Sequence, residues 1–538
     1  MRATPKPTWI AACAVVLASA SLSAIDYLTE GVDNARTGWL KNEKIFNTTN
    51  VRSMQLLWKV KAESTPRQMH NLFAPLVKGG VQTPRGLKEL AIFAGISDEL
   101  FAYDVTNGEL IWKRTFDSIY PRVTTGNGST LCPGGQTAVP VIPPTPVDGR
   151  TAMYAVSWDG RLWTLDVATG QDVAPPEKFA PPNAKPYALN LFNGAIYTAT
   201  AQGCGGTTNA FVAYNLATKR SAIFAPGGGG MWGRRGVSID PDGRAYIGTG
   251  DAVFDETSKT LGNAYVAVKM DPNGELQLVD YFAPPNANWM MRRDLDVNMT
   301  PVLFDYQGRK FLVGSSKECR LWLMDRDRLG GADHRTPLYI SPLLCNDVQA
   351  FDAHGVWGAM AAWADGQRRQ WVLVPFYGPV SREFHAPREH ARPTQGGVAA
   401  YTVEQRNGRW ELMPQWLSRD IDMAEHVIVA NGVVFTYGSG EDTTQVSPER
   451  AFDDPQGPQL GGAVSNGAPR RLAGRKAAIY ALDALTGNEL WNSGNTITTW
   501  NHYSGLTVAN GRVFLSTFDG LIYAFGVESQ QSRNAAQR

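Results

Sequence analysis

Apolar and polar residues along this chain fall into short alternating runs separated by turn residues, with no sustained helical spacing. Two stretches show the unit most clearly: Leu100-Phe-Ala-Tyr-Asp104-Val-Thr-Asn-Gly108-Glu-Leu-Ile-Trp112 and Ile479-Tyr-Ala-Leu-Asp483-Ala-Leu-Thr-Gly487-Asn-Glu-Leu-Trp491. Each reads as strand, tight turn, strand. Weaker copies begin at Leu162 (with Asp166 and Gly170), Phe211 (Asn215), Tyr265 (Asp271, Gly274), Leu321 (Asp325), Val398 (Gly408, Trp410) and Leu521. Their spacing of roughly 40–80 residues predicts propeller blades carrying loop insertions, eight in all.

The last copy, Leu521-Ile-Tyr-Ala-Phe-Gly526, is followed by a polar tail and lacks its Trp-bearing strand. Leu56-Leu-Trp58-Lys-Val60 has the form of that missing strand but no turn phrase before it. The expected fold is therefore an all-β, eight-bladed propeller closed by an N-terminal strand that completes the last blade and removes the open edge. The expected organisation is a secretory signal over 1–23, a lead-in over 24–55, the propeller over 56–526 and a polar tail over 527–538. Trp58, Trp112, Trp410 and Trp491 are assigned to docking between blades, the usual use of an aromatic in such a ring.

Composition adds a few constraints. With 51 basic and 50 acidic residues the net charge is +1, which gives no basic surface for nucleic acid. Arg2 and Lys6 precede an apolar run from Trp9 to Ala20 and small residues around Ser21-Leu-Ser23, the pattern of a secretory signal. That run is too short to cross a bilayer, and no later stretch approaches the length of a membrane span. The expected location is periplasmic or secreted. Cys132, Cys204, Cys319 and Cys345 then remain in an oxidising compartment; two disulfides are expected, with three pairings open.

A propeller does not specify a function, so the chemistry has to come from particular residues. The repeat phrase is joined by Asn34-Ala-Arg-Thr-Gly-Trp39, Met231-Trp232-Gly233, Ile239-Asp-Pro-Asp-Gly-Arg-Ala-Tyr-Ile-Gly-Thr-Gly250-Asp251, and Asp294-Leu-Asp296 followed by Gly314-Ser-Ser-Lys317. Over about residues 30–526 these resemble the family of pyrroloquinoline quinone (PQQ) dehydrogenases and their non-enzymatic relatives with PQQ-type repeats. The resemblance implies PQQ and calcium or another divalent cation as cofactors, with an alcohol or aldehyde substrate and an external electron acceptor. It implies Asp296 as catalytic base with Asp294 as neighbouring candidate, Asp251 and Asp296 as metal ligands, and Trp232 as one wall of the quinone slot. Lys317 falls near the quinone oxygens, and Cys132 and Cys204 are the cysteines nearest to the family's cofactor-facing pair. Oxygen donors of this kind suit a hard cation.

Two departures favour the alternative of a non-catalytic binding or scaffold propeller. The family's glutamate ligand falls in Gly203-Cys-Gly-Gly-Thr-Thr208, which has no carboxylate, and an adjacent Cys-Cys pair is missing. No Cys-x-x-Cys-His is present to attach a haem. The residues also have plain structural readings: Asp251 as a turn cap, Asp294 and Asp296 as an ion-pair cluster with Arg292 and Arg293, Lys317 as a surface residue, Cys132 to Cys204 as a staple. His385 and His390 lie in a polar insertion that reads as a loop. His354 and Trp357 read as core, or as a second channel mouth. The Gly227–Gly230 run lacks the Lys-Ser/Thr ending of a phosphate cradle, and no nucleophile elbow supports hydrolysis. On the enzymatic reading, Asp296→Asn is expected to abolish turnover and leave stability nearly unchanged.

Overall fold

The computed structural model describes residues 25–119, 132–349, 354–443 and 467–527. The segment assigned as a signal, and the tail after 527, lie outside the described residues. Eight β-sheets follow one another along the chain and form the blades of a propeller. In order they are built on strands within 76–115, 152–178, 185–224, 230–282, 302–340, 361–417, 428–492 and 507–526. Helix is confined, among the described residues, to Ala287–Arg292, Gly467–Ala473 and a few single turns.

The ring closes as the truncated last repeat requires. Strand Gln55–Lys61 runs antiparallel to Leu521–Gly526, with Trp58 opposite Ala524 and Lys61 opposite Leu521. The final blade thus takes its outer strand from the other end of the chain, and unfolding one end must open the ring.

The repeated acidic residue has a local cause. In both clear copies, and in the copy at Leu162, its carboxylate caps the turn that follows: Asp104 Oδ1 accepts from Thr106 N, Asp483 Oδ1 from Leu485 N, and Asp166 Oδ1 from Ala168 N. Asn215 and Asp325 do the same in the weaker copies. The tryptophan of the preceding blade then docks on this turn. Trp58 Nε1 donates to Val105 O, Trp112 Nε1 to Val167 O and Trp416 Nε1 to Ala484 O. The turn glycine is what lets the indole approach: a Cβ on Gly108, Gly170 or Gly487 would lie 2.6–2.8 Å from the ring of Trp58, Trp112 or Trp416. Trp410 and Trp491 also pack between blades, but against aromatic rings, with centroids 5.0 Å from Phe311 and 5.5 Å from Phe525. Blade 6 therefore makes its turn contact with Trp416, which lies beyond the expected Trp410.

The lead-in threads the hub. Tyr27 pairs with Val77 in blade 1; Leu28 O accepts from Ile142 N, Asn34 O from Ile239 N, Ala35 O from Leu303 N, Thr37 O from Ala362 N and Gly38 O from Val429 N. Consecutive residues of the Asn34–Trp39 motif thus meet consecutive blades. Arg36, buried at 1% exposure, donates to Leu189 O and Val237 O and so ties this segment to blades 3 and 4. Arg235 donates to Met360 O and Val427 O from the same region, which places its neighbour Arg234 beside the hub cavity.

Candidate active site

A cavity of about 130 Å³ lies at the hub, and its lining includes Trp232, Asp251, Asp294, Asp296 and Lys317. These residues lie on separate strands and loops of blades 4 and 5. Gly250 ends strand Arg244–Gly250, and Asp251 follows with a left-handed φ of 56°, a conformation that Asp tolerates better than most residues. Asp294, with φ 55°, and Asp296 occupy the loop after helix Ala287–Arg292. Lys317 sits in the loop between strands Arg309–Gly314 and Trp322–Asp325. Its carbonyl is held by Asn346 Nδ2 at 2.7 Å, and its amide donates to Asp296 O at 3.1 Å. Gly250 is required for the close approach of the two loops, because a Cβ there would sit 2.6 Å from Asp296 Oδ1.

The three carboxylates each bring an oxygen within 4.8 Å of the others. Lys317 Nζ lies 2.7 Å from Asp296 Oδ2 and 3.2 Å from Asp294 Oδ1, while Asp251 N donates to Asp296 Oδ1 at 3.0 Å. Lys317 is therefore no surface lysine, and the cation that pairs the aspartates is Lys317, not the neighbouring arginines. Asp251 joins this cluster where a turn cap was the plain alternative. Asp296 is buried at 1% with both oxygens engaged, Asp294 is half-buried, and Asp251 is open to the cavity.

Proximity splits the titration of the group. Burial, then the charge of Asp296, pushes Asp251 up to about 7, and the same causes push Asp294 well above the usual carboxylate range. Burial alone would also raise Asp296, but Lys317 and the Asp294 carboxyl outweigh it and hold Asp296 low. Lys317 goes up despite burial because three carboxylates surround it. The cluster thus combines one carboxyl held low, one ammonium held up and two carboxyls raised by burial and by their neighbours' charge.

A second set of lining groups is basic: His70, Lys185, Arg234, Arg470 and His502. Trp357 and Tyr503 lie between the two sets. Lys317 Nζ is 5.4 Å from the Trp357 ring, Trp357 stacks on Tyr503 at 6.1 Å and 7°, and Tyr503 O accepts from Arg234 Nε at 2.5 Å. Trp357 therefore belongs to this same cavity, not to a second mouth. Cys132 is bonded to Cys204, and Cys319 to Cys345. The first pair is buried against Trp158, is not among the lining residues, and joins the stretch after blade 1 to blade 3. His390 Nε2 donates to Thr486 O on the surface, apart from the cavity.

Comparison with known proteins agrees with this architecture. A PQQ-repeat family model described as outer membrane protein assembly factor BamB matches residues 44–173. In sequence, a quinohemoprotein alcohol dehydrogenase of Comamonas testosteroni is 23% identical over 397 residues, 66% of this chain and 51% of that protein. The match spans about half the length of that relative. The solved structure of a Comamonas testosteroni quinohemoprotein alcohol dehydrogenase superposes with a TM-score of 0.55 at 16% identity, covering 94% of this chain and 81% of the other. A europium-containing methanol dehydrogenase gives 0.57 at 13% identity, covering 93% and 98%. The chain resembles the quinoprotein dehydrogenases and carries their PQQ-type repeats. In this quinoprotein-like ring, the aspartate cluster, Lys317 and Trp232 stand at the hub, where side chains of several blades can meet one ligand.

The residues present fit the implied cofactors. Three converging carboxylates offer hard oxygen donors for a cation. The flat rings of Trp232 and Trp357 suit a planar quinone, and Trp232 Nε1 is buried without a hydrogen-bond partner among the described residues.

Proposed function

We propose that the protein is a quinoprotein oxidoreductase, periplasmic or secreted, that oxidises an alcohol or aldehyde with PQQ and calcium or another divalent cation and passes electrons to an external acceptor. The observation that carries this reading is the convergence of Asp251, Asp294, Asp296 and Lys317 on one cavity. Bound PQQ would supply the two-electron acceptor, and the cation a Lewis acid. Asp251 and Asp296 are the ligands expected to hold the cation, and Trp232 the wall on which the quinone rests.

The geometry favours Asp294 over Asp296 as the group that takes the hydroxyl proton. Both oxygens of Asp296 already accept hydrogen bonds, from Asp251 N and Lys317 Nζ. Asp294 is less buried, and its carboxyl has the affinity for a proton that a base needs. Asp294 must be ionised to act, and Lys317 at 3.2 Å works in that direction. Asp296 then acts as the fixed anion that keeps Lys317 and the Asp251 loop in place.

The test is to equilibrate purified protein with PQQ and calcium, magnesium or a trivalent cation, then to assay dye-linked oxidation of alcohols and aldehydes. Asp294→Asn should lower turnover by about 10²–10⁴-fold while retaining PQQ. Failure to retain PQQ with any cation would sink the reading. A scaffold propeller is the second reading, favoured by the lack of a carboxylate in the turn around Cys204, where the disulfide to Cys132 sits instead.

A further inference from the structure

The basic set on the cavity wall is not used by the chemistry above. Lys185 is only 4% exposed, and its Nζ reaches one hydrogen-bond partner, Gln202 Oε1, at 3.3 Å. Arg234 lies over the Phe73 ring at 4.6 Å and donates from Nε, but its Nη2 is buried with no partner. His70 is 1% exposed, and neither ring nitrogen has a partner. Its ring meets the edge of His502 at 4.6 Å, and His502 is itself held by Glu441 at 2.7 Å. Among the described residues neither Lys185 nor Arg234 has a carboxylate partner.

Burial and the neighbouring Arg234 hold the Lys185 amine well below its usual range; an anion shared with Arg234 would let Lys185 carry its proton, so the pair leaves room for one. A carboxylate fits, since its two oxygens match a guanidinium edge and an ammonium together. The acidic set lies in the same cavity, linked to Arg234 through the Trp357 and Tyr503 contacts, and repels a second anion. A ligand with one carboxylate and one hydroxyl would therefore lie one way round, its carboxylate on Lys185 and Arg234 and its hydroxyl toward Asp294.

We propose that Lys185 and Arg234, with His70, form a carboxylate-binding site, so that the substrate is an anionic alcohol or aldehyde, such as an ω-hydroxy acid. This rests on the oxidoreductase reading for the substrate's role but not for the site itself. The same chemistry has two sources, a substrate carboxylate or a carboxylate of PQQ, and the experiment separates them.

Binding of glycolate, 4-hydroxybutyrate and 6-hydroxyhexanoate, each against the diol of equal length, is followed by tryptophan fluorescence on protein with and without PQQ and calcium. The expected result is that at least one hydroxy acid binds PQQ-loaded protein about tenfold or more tighter than its diol. K185M should abolish that preference and K185R keep it. K185M removes a buried amine that makes one long hydrogen bond and is expected to fold at least as stably as the parent; R234K is the second variant. No preference in either form overturns the site. A preference that PQQ loading abolishes gives the site to the cofactor and overturns the anionic substrate. A preference that persists, and is lost in K185M, in protein that never retains PQQ keeps the site and refutes the oxidoreductase reading instead.

Discussion

Lys317 and Asp296 provide the sharpest test of the site as a physical unit. Their 2.7 Å contact is buried, and Asp294 lies 3.2 Å from the same ammonium. At an effective dielectric of about 20, the closer contact is worth about 6 kcal/mol of gross attraction, much of it offset by the cost of desolvating both groups. Removing one partner of a buried pair costs about 3–5 kcal/mol when the other is left alone. Neither is left wholly alone here, because Asp294 still faces Lys317 in Asp296→Asn, and the carboxyls relieve Lys317→Met by binding protons. Each single change should therefore cost about 2–3 kcal/mol, and the double change about the same, giving a coupling of about 2–3 kcal/mol. Urea unfolding at pH 7 in chelator, read as a shift in midpoint at constant slope, measures it. Costs that add within about 0.5 kcal/mol would refute the pairing. The same geometry revises one sequence-based expectation: Asp296→Asn should lower stability as well as turnover, because Asp296 is the anchor of the cluster.

Three further outcomes follow from the structure. Glu425 is fully buried, accepts from Tyr437 Oη, and is pushed up to about 8 by burial. Its folded value lies above its unfolded one, so the stability it contributes is present at acid pH and is lost as pH rises from about 4.5 through about 8. The slope is up to about 1.4 kcal/mol per pH unit, and Glu425→Gln should flatten it in thermal melts. Trp112→Phe keeps an aromatic ring but loses the bond to Val167 O and part of the indole's packing, so it should lower stability by at least about 1–2 kcal/mol in urea titrations, and Gly170→Ala, whose Cβ meets the indole at 2.6 Å, should also be destabilising. Replacing Cys319 and Cys345 by Ser opens a loop of 26 residues and should cost about 3–4 kcal/mol; mapping the disulfides by mass spectrometry should recover 132–204 and 319–345.

The ring was legible in the sequence because several blades share one local device, seen in full at the turns of Gly108, Gly170 and Gly487. An Asp must cap the turn, a Gly must admit the indole, and a Trp must follow at fixed distance, so the phrase recurs wherever that contact recurs. Where the indole packs on other rings, as with Trp410 and Phe311, the phrase loosens, and the position of the docking residue slips to Trp416. The acidic half of the cavity was legible only through resemblance, since nothing in Asp294-Leu-Asp296 itself separates a pocket from a solvated ion pair. What decides is the distance to Lys317, 21 residues away in sequence but in hydrogen-bond contact. The basic half left no signal at all. Lys185, Arg234 and His70 come from blade 3, blade 4 and the approach to blade 1, and each alone looks like an ordinary polar residue in a short strand or a connection. Their significance lies in what they lack: a buried basic group with no carboxylate in ion-pair contact among the described residues is a property of the assembled hub, which no local pattern encodes. A ring fold therefore writes its architecture in the repeat and its selectivity in the departures from it.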